Sequence, residues 1–376
     1  MQDYLLQNGT VFVNGTFIKA DVLVAEGRIS AVFPKSNRGD YIGEVERLPK
    51  ECVLDVEGKY IIPGLVDTHF HGGAGADFSD GEQEALSRIE EVERKEGSLY
   101  LCPATMTLPK EQILKATKTL VKYKSRYNGT FCGFYLEGPF FHPEKIGAQN
   151  PDYLKLPDAT FLDAVLNEAK GLCKVVSLAP ELPGALALVA KFRNEVRFSL
   201  GHTTADGEQA RRAFAEGVRR ITHLYNAMPN YEEILDAAAE DGDVYAELIC
   251  DGVHNNSERV LKAFSSLGPE HVILISDSMR AMGMPDGIYD LGGQKISVQG
   301  KLALTKSGAK AGSVTSLLGC VQEAIAMGVP AKDAVLAATR TPARALEMAE
   351  DCGEIKVGGR AKLLVLDDAF KLQRVL

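Results

Sequence analysis

Eight short apolar runs cross the middle of this 376-residue chain, alternating with polar stretches of helical spacing such as GEQEALSRIEEVERKEG and GEQARRAFAEGVRR. The runs are GLVDTH, SLYLCPATM, FCGFYLEG, KVVSLAPE, VRFSLGH, RRITHLYN, YAELICDGVH and HVILISDS. Strand, helix, strand implies parallel pairing, because a parallel neighbour is reached only through a crossover long enough to hold a helix. Eight such units predict an α/β fold, a closed (β/α)8 TIM barrel over residues 63–345 rather than an open sheet. Barrels hold about 250 residues in one core, so a chain of this length has room for a second, smaller unit.

The two ends of the chain differ from the middle. YLLQNGTVFVNGTFIKADVLVAEGRISAVFP carries N-G twice and E-G once between Val, Ile and Phe, which predicts hairpins. GEIKVGGRAKLLVLDD, at 353–368, has the same texture. The ends are therefore expected to pair into one small β-domain, 1–62 with 346–376.

A content of 45% apolar and 25% charged residues is that of a globular protein. The net charge of −9 argues against a surface that tracks nucleic-acid phosphates. No charge-free apolar stretch approaches about 18 residues, and MQDYLLQNGTVFVNG has no basic segment leading into an apolar one, so neither a membrane nor export is expected. Seven cysteines, at 52, 102, 132, 173, 250, 320 and 352, include no C-x-x-C pair. That pattern predicts reduced thiols in a cytoplasmic protein.

Polar residues fall where a barrel would use them. DTHFH, LEGP, GH, TH, DGVH and SD each follow an apolar run, at the carboxyl end of a strand, and that end of a barrel is its active-site face. His69, His71, His202, His223 and His254 all occupy such ends; His142 lies in a loop and His271 precedes a strand. One strand-end histidine is usually structural, but a convergent set is a site. Glu137, His202 and His223 supply one carboxylate and two imidazoles from separate strands, the three-ligand arrangement of a hydrolytic zinc site. Asp277 then suits proton transfer between water and a leaving group. His69 and His71 can both reach a metal only if the backbone turns between them.

PGLVDTHFHG, LEGPFFHPEKIGAQNPDY, SLGHTTADGEQA, THLYNAMP, DGVH and ISDSMRAMGMPDGIYDLGG, taken in this order, resemble the amidohydrolase superfamily and, within it, the N-acetylglucosamine-6-phosphate deacetylase family. The resemblance spans most of the chain. It implies a (β/α)8 barrel carrying a small β-sandwich built from both termini. It implies Glu137, His202 and His223 as the main divalent-metal site, with zinc favoured and iron the alternative. A second ion near His69 and His71 is implied where that pair is retained, as here. Asp277 becomes the proton-transfer residue, and His254 or a neighbour stabilises the oxyanion. Ala148, Gln149, Asn226, Ala227, Asp251, His254, Ala311 and Gly312 are implied to line the sugar pocket. The implied reaction hydrolyses the acetamide of N-acetyl-D-glucosamine 6-phosphate by metal-activated water, releasing acetate. The implied assembly is a homodimer whose neighbouring subunit completes the phosphate pocket.

One motif of that family is missing. NAMP is usually followed by an arginine in an R-x-P-G context that contributes to the phosphate site, whereas this chain continues NYEEILDAAAEDGDVYAELICDGVH, with no arginine between Arg220 and Arg259. An arginine fork suits phosphate and an acidic stretch repels it. Either Lys145, Lys155, Arg280 or Lys310 takes over, or the substrate is another acetylated amino sugar, unphosphorylated or galacto-configured. The acidic run itself reads as the solvated face of a helix. Two further alternatives stay open: a different amidohydrolase acting on N-acyl amino acids or cyclic amides, and a catalytically dead relative that only binds.

Overall fold

Residues 3–35, 48–127 and 129–376 are described by the computed structural model, a mixed α/β molecule. Its two ends meet in one seven-stranded sheet. The N-terminal part supplies β1 (Tyr4–Val13), β2 (Thr16–Ala25), β3 (Arg28–Pro34), β4 (Val53–Asp55) and β5 (Tyr60–Pro63); the C-terminal part supplies β19 (Leu363–Leu366) and β20 (Leu372–Val375). The order is β20-β19-β5-β1-β2-β3, with β4 alongside β1. Leu6, Val11, Val22, Val24, Ile61 and Val365 pack as a core of its own against this sheet.

Asn14-Gly15 and Glu26-Gly27 turn the chain as expected. Both residues of each pair have positive φ, at 50° and 78° and at 52° and 74°, as a two-residue hairpin of right-handed twist requires. Asn8-Gly9 does not make a hairpin. It lies inside β1, where the register against β2 shifts between Leu6 and Gly9. Asn8 donates its backbone N–H to Asp21 Oδ1 at 2.7 Å and its side-chain amide to Asp55 Oδ1 at 3.0 Å, and apolar residues on either side, Leu6 and Val11, are both buried. These ties hold the pair as a bulge. A Cβ on Gly9 would lie 2.6 Å from Ile61 Cδ1.

All eight apolar runs of the middle region are strands: β6 (Leu65–Asp67), β9 (Ser98–Leu101), β10 (Phe134–Phe140), β11 (Cys173–Leu178), β12 (Arg197–Leu200), β13 (Val218–Ile221), β14 (Tyr245–Ile249) and β15 (Val272–Ile275). Between β6 and β9 the short strands β7 (Gly72–Gly73) and β8 (Ala76–Asp77) pair with each other. β6 pairs parallel with β9, and β10 to β15 form a parallel sheet in chain order. Parallel bridges from Leu101 to Phe131 and from Ala104 to Tyr135 join β9 to β10. Beyond β15, the Asp277 N–H donates to His69 O at 2.9 Å, so the last strand end meets the first.

A helix follows each of these strands: Gln83–Lys95, Lys110–Arg126, Ala159–Ala169, Ala185–Phe192, Gly207–Glu216, Tyr231–Asp241, Ser257–Leu267 and Leu317–Ala326. Their sequences explain their faces. Lys110–Arg126 buries Ile113, Ala116, Thr117, Leu120 and Tyr123 at spacings of three and four while its lysines face water. Gly207–Glu216 starts at an Asp206–Gln209 capping box and stops at Gly217, whose φ is 119°. Tyr231–Asp241, the acidic stretch, buries Ile234, Leu235, Ala237 and Ala238 and turns its acids outward, where Glu240 meets Arg211. A three-stranded antiparallel insertion, β16 (Gly287–Leu291), β17 (Gln294–Gln299) and β18 (Leu302–Thr305), was not expected. Among the described residues no helix is long and apolar enough to cross a membrane.

Candidate metal centre

Glu137 lies within β10, His202 follows β12 and His223 follows β13, and the three buried side chains converge. Glu137 Oε1 is 3.2 Å from His202 Nε2 and 3.1 Å from His223 Nε2, and the two nitrogens are 3.0 Å apart. Bonds of about 2.0–2.1 Å to a tetrahedral zinc would separate ligand atoms by about 3.3–3.4 Å, so the triangle has nearly the dimensions of one face of such a site.

The ring orientations fit a cation. The Nδ1–H of His202 donates to Lys145 O at 2.8 Å, that of His71 to Ala104 O at 3.3 Å, and that of His69 to Glu247 at 2.7 Å. Each contact holds the proton on Nδ1 and leaves the Nε2 lone pair for the centre. His69 Nε2 is buried with no hydrogen-bond partner among the described residues. Burial alone would push the Glu137 carboxyl up, but His69, His202 and His223 around it hold it well below the usual carboxylate range.

His69, His71 and Glu137 form a second group capable of holding an ion. His71 Nε2 is 3.3 Å from Glu137 Oε2, and His69 Nε2 is 3.6 Å from Oε1, so Glu137 stands between the two groups. Asp277 joins from the end of β15, with Oδ1 3.3 Å from His71 Nε2 and 3.9 Å from His69 Nε2.

His202, His223 and Asp277 have φ of 47°, 29° and 46°, and Tyr225 and Ala227 have 79° and 53°. Left-handed backbone at non-glycine residues costs on the order of 1–3 kcal/mol each and persists only where the surroundings impose it. Here it aims side chains from strand ends into a cavity of about 360 Å³.

That cavity is lined by His71, Glu137, Ala148, Gln149, His202, His223, Asn226, Ala227, His254, Asp277 and Gly312, among others. Two expected lining residues stand behind the wall. Asp251 is wholly buried and accepts from His254 Nδ1 at 2.8 Å, which leaves Nε2 as the free nitrogen of that ring. Ala311 is buried, with its N–H on Ala303 O. Gln149 is in place, but its amide is committed: Nε2 donates to Glu137 Oε2 at 2.7 Å and Oε1 accepts from the Thr107 N–H. The Asn226 amide likewise donates to His223 O and Leu224 O, capping its own turn.

Sequence reasoning missed several residues. Tyr225, Met106, Leu291 and Arg259 also line the cavity. Glu247 and Arg220 lie beneath it: Glu247 accepts from Arg220 Nε at 2.7 Å, from His69 Nδ1 and from the His223 N–H. The available signal was charge inside an apolar strand, since a fully buried Arg or Glu must be paired.

The amidohydrolase family model matches residues 60–375. The N-acetylgalactosamine-6-phosphate deacetylase of Escherichia coli O157:H7 is 32% identical over 342 residues, 89% of this chain and 90% of that protein. The N-acetylglucosamine-6-phosphate deacetylase of Bacillus subtilis (strain 168) is 33% identical over 327 residues, 84% of this chain and 78% of its own. A solved structure of a variant N-acetyl-D-glucosamine-6-phosphate deacetylase from Mycobacterium smegmatis, in complex with N-acetyl-D-glucosamine-6-phosphate, superposes with a TM-score of 0.91. It shares 31% identity and covers 100% of this chain and 98% of that one.

Proposed function

The chain belongs to the amidohydrolase family, and from that premise we propose that it hydrolyses the acetamide of N-acetyl-D-glucosamine 6-phosphate, giving D-glucosamine 6-phosphate and acetate. The observation that carries this reading is the Glu137, His202 and His223 triangle opening, beside Asp277, into a cavity of about 360 Å³. A divalent cation held there, with zinc as our assignment, supplies Lewis acidity that polarises an amide carbonyl and lowers the pKa of water towards about 7.

The remaining work falls to side chains. Lys145 O, Gln149 and Glu247 keep the donors of His202, Glu137 and His69 aimed inward. Asp277, in the cavity wall and 3.3 Å from His71 Nε2, takes a proton from the attacking water and returns it to the departing amine. With Asp251 on its Nδ1, a neutral His254 offers an acceptor at Nε2 and suits a substrate hydroxyl; only its protonated form could assist the oxyanion. Ala148, Gln149, Asn226, Ala227 and Gly312 complete the walls around the sugar.

We read the eight parallel strands as a closed (β/α)8 barrel, supported by the Asp277 to His69 hydrogen bond at the seam. The terminal sheet is read as the small β-sandwich domain, 1–62 with 346–376, supported by its separate core. A cytoplasmic setting is supported by seven buried cysteines that form no disulfide with one another; the homodimer rests on family resemblance and is tested by light scattering.

A second reading, the galacto epimer, is favoured by the activity for which the Escherichia coli relative is named. Acetate release should therefore be measured on N-acetylglucosamine and N-acetylgalactosamine, each with and without 6-phosphate, beside N-acetyl amino acids. Turnover of a 6-phosphate sugar supports the proposal; turnover of acylated amino acids alone overturns it.

A further inference from the structure

The stretch where a phosphate-binding arginine is expected contains none, but Arg259, at the start of helix Ser257–Leu267, lines the same cavity as Glu137, His202, His223 and Asp277. Among the described residues lining this cavity, two are lysine or arginine, and the other is Lys310. We propose that Arg259 and Lys310 form the anion subsite that binds the phosphomonoester of the amino-sugar substrate, an inference that rests on the deacetylase reading.

Arg259 is held in place before any ligand arrives. Its guanidinium carbon lies 4.7 Å from the Tyr231 ring centroid and 5.5 Å from that of Tyr225, and Nη2 donates to Tyr231 Oη at 3.1 Å. Tyr225 Oη in turn donates to Arg259 O at 3.0 Å. Aromatic faces hold a guanidinium without using its donors, and the bond to Tyr231 uses one of five N–H groups. The rest can grip phosphate as a fork. Lys310 is tethered in the same cavity, with Nζ donating to Val253 O at 2.6 Å and His254 O at 3.3 Å, and so brings a second positive charge to the wall that carries His254.

Position agrees with charge. Arg259 and Tyr225 also line an adjoining groove that contains none of the metal-centre residues, so they sit at the end of the cavity remote from the triangle. In a hexopyranose, C2 and C5 lie across the ring, so a 2-acetamido group presented to Glu137, His202 and His223 sends C6 towards that remote end. Glu232, Asp236 and Glu258 line the adjoining groove and not the cavity. The acidic stretch therefore does not exclude a phosphate.

The test compares kcat/KM for N-acetylglucosamine 6-phosphate with that for N-acetylglucosamine in wild type, Arg259→Gln, Arg259→Lys and Lys310→Gln. Charge-assisted hydrogen bonds of this kind predict that the phosphate preference falls about 10- to 100-fold in Arg259→Gln. Arg259→Lys should fall between, and Lys310→Gln should show a smaller loss. Calorimetric titration of the metal-loaded protein with glucose 6-phosphate and with glucose gives a second readout that needs no turnover. A preference for the phosphorylated sugar that survives in Arg259→Gln overturns the inference, as does a wild type that deacetylates both sugars equally well. A wild type that releases no acetate, yet binds glucose 6-phosphate in an Arg259-dependent way, overturns the deacetylase reading and leaves the anion subsite standing.

Discussion

Glu247 determines which nitrogen of His69 faces Glu137, although neither Glu247 nor His69 lines the cavity. One carboxylate serves His69 Nδ1, Arg220 Nε and the His223 N–H, and all three side chains are buried. Glu247→Gln leaves the Arg220 charge buried without its counter-charge, for an expected loss of about 3–5 kcal/mol, and by loosening His69 should weaken zinc binding at the His69, His71 and Glu137 group about 10- to 100-fold. Urea denaturation in chelator and zinc competition with a chromophoric chelator measure the two effects separately. Asp251 gives a pH-dependent test. Burial pushes its carboxyl up, but the hydrogen bond from His254, that ring's charge when it is protonated and the N–H groups of His254 and Val253 bring it down to about 2. A folded pKa below the unfolded value means the ionised form stabilises the fold. That contribution, about 2–3 kcal/mol from this difference, is complete above about pH 5 and is lost progressively as pH falls through 2. The stability gap between wild type and Asp251→Asn should accordingly narrow between pH 5 and pH 2.5. At this scale the strand-end residues were legible because each follows an apolar run. Glu247 and Arg220 were hidden inside such runs, and Arg259 depends on aromatic neighbours 28 and 34 residues away, which no local pattern records.

The elements that aim these residues are ordinary in their energetics, which makes their failures predictable. Leu120 is fully buried on helix Lys110–Arg126, so Leu120→Ala should cost about 2–5 kcal/mol through the cavity it leaves. Asp206→Ala removes the capping-box acceptor for Gln209 N and should cost about 1 kcal/mol. Thermal melts of the two variants should preserve that order, and the reverse order would contradict the assigned packing. Alternating strands and helices were readable because apolar runs and amphipathic stretches have different periods. The Asn8-Gly9 bulge was not, since the same dipeptide turns the chain at Asn14-Gly15; what differs is the grip of Asp21 and Asp55 on Asn8. Nor was the insertion β16–β18, whose burial alternates residue by residue along β16 in a stretch that the sequence marked only as a motif. It matters to the site, because Leu291 at the end of β16 lines the cavity and Gln294 on β17 holds Ala148 O.

For the molecule as a whole, the parallel strands bring residues 69 to 277, distant in sequence, to one end of the sheet, and the helices between them keep the strained strand ends in place. The terminal sheet, with its own core, joins the first and last segments of the chain and contributes none of the residues that line the cavity. On the proposed function, activity rests on the centre around Glu137. The most direct measurement strips the protein with a chelator, adds zinc back in steps, and follows acetate released from N-acetylglucosamine 6-phosphate by wild type and Glu137→Gln. The account predicts that the stripped enzyme is inactive, that activity returns in proportion to bound zinc, and that Glu137→Gln loses at least about 100-fold at saturating zinc. Acetate release that persists without metal, or that Glu137→Gln leaves intact, would contradict it.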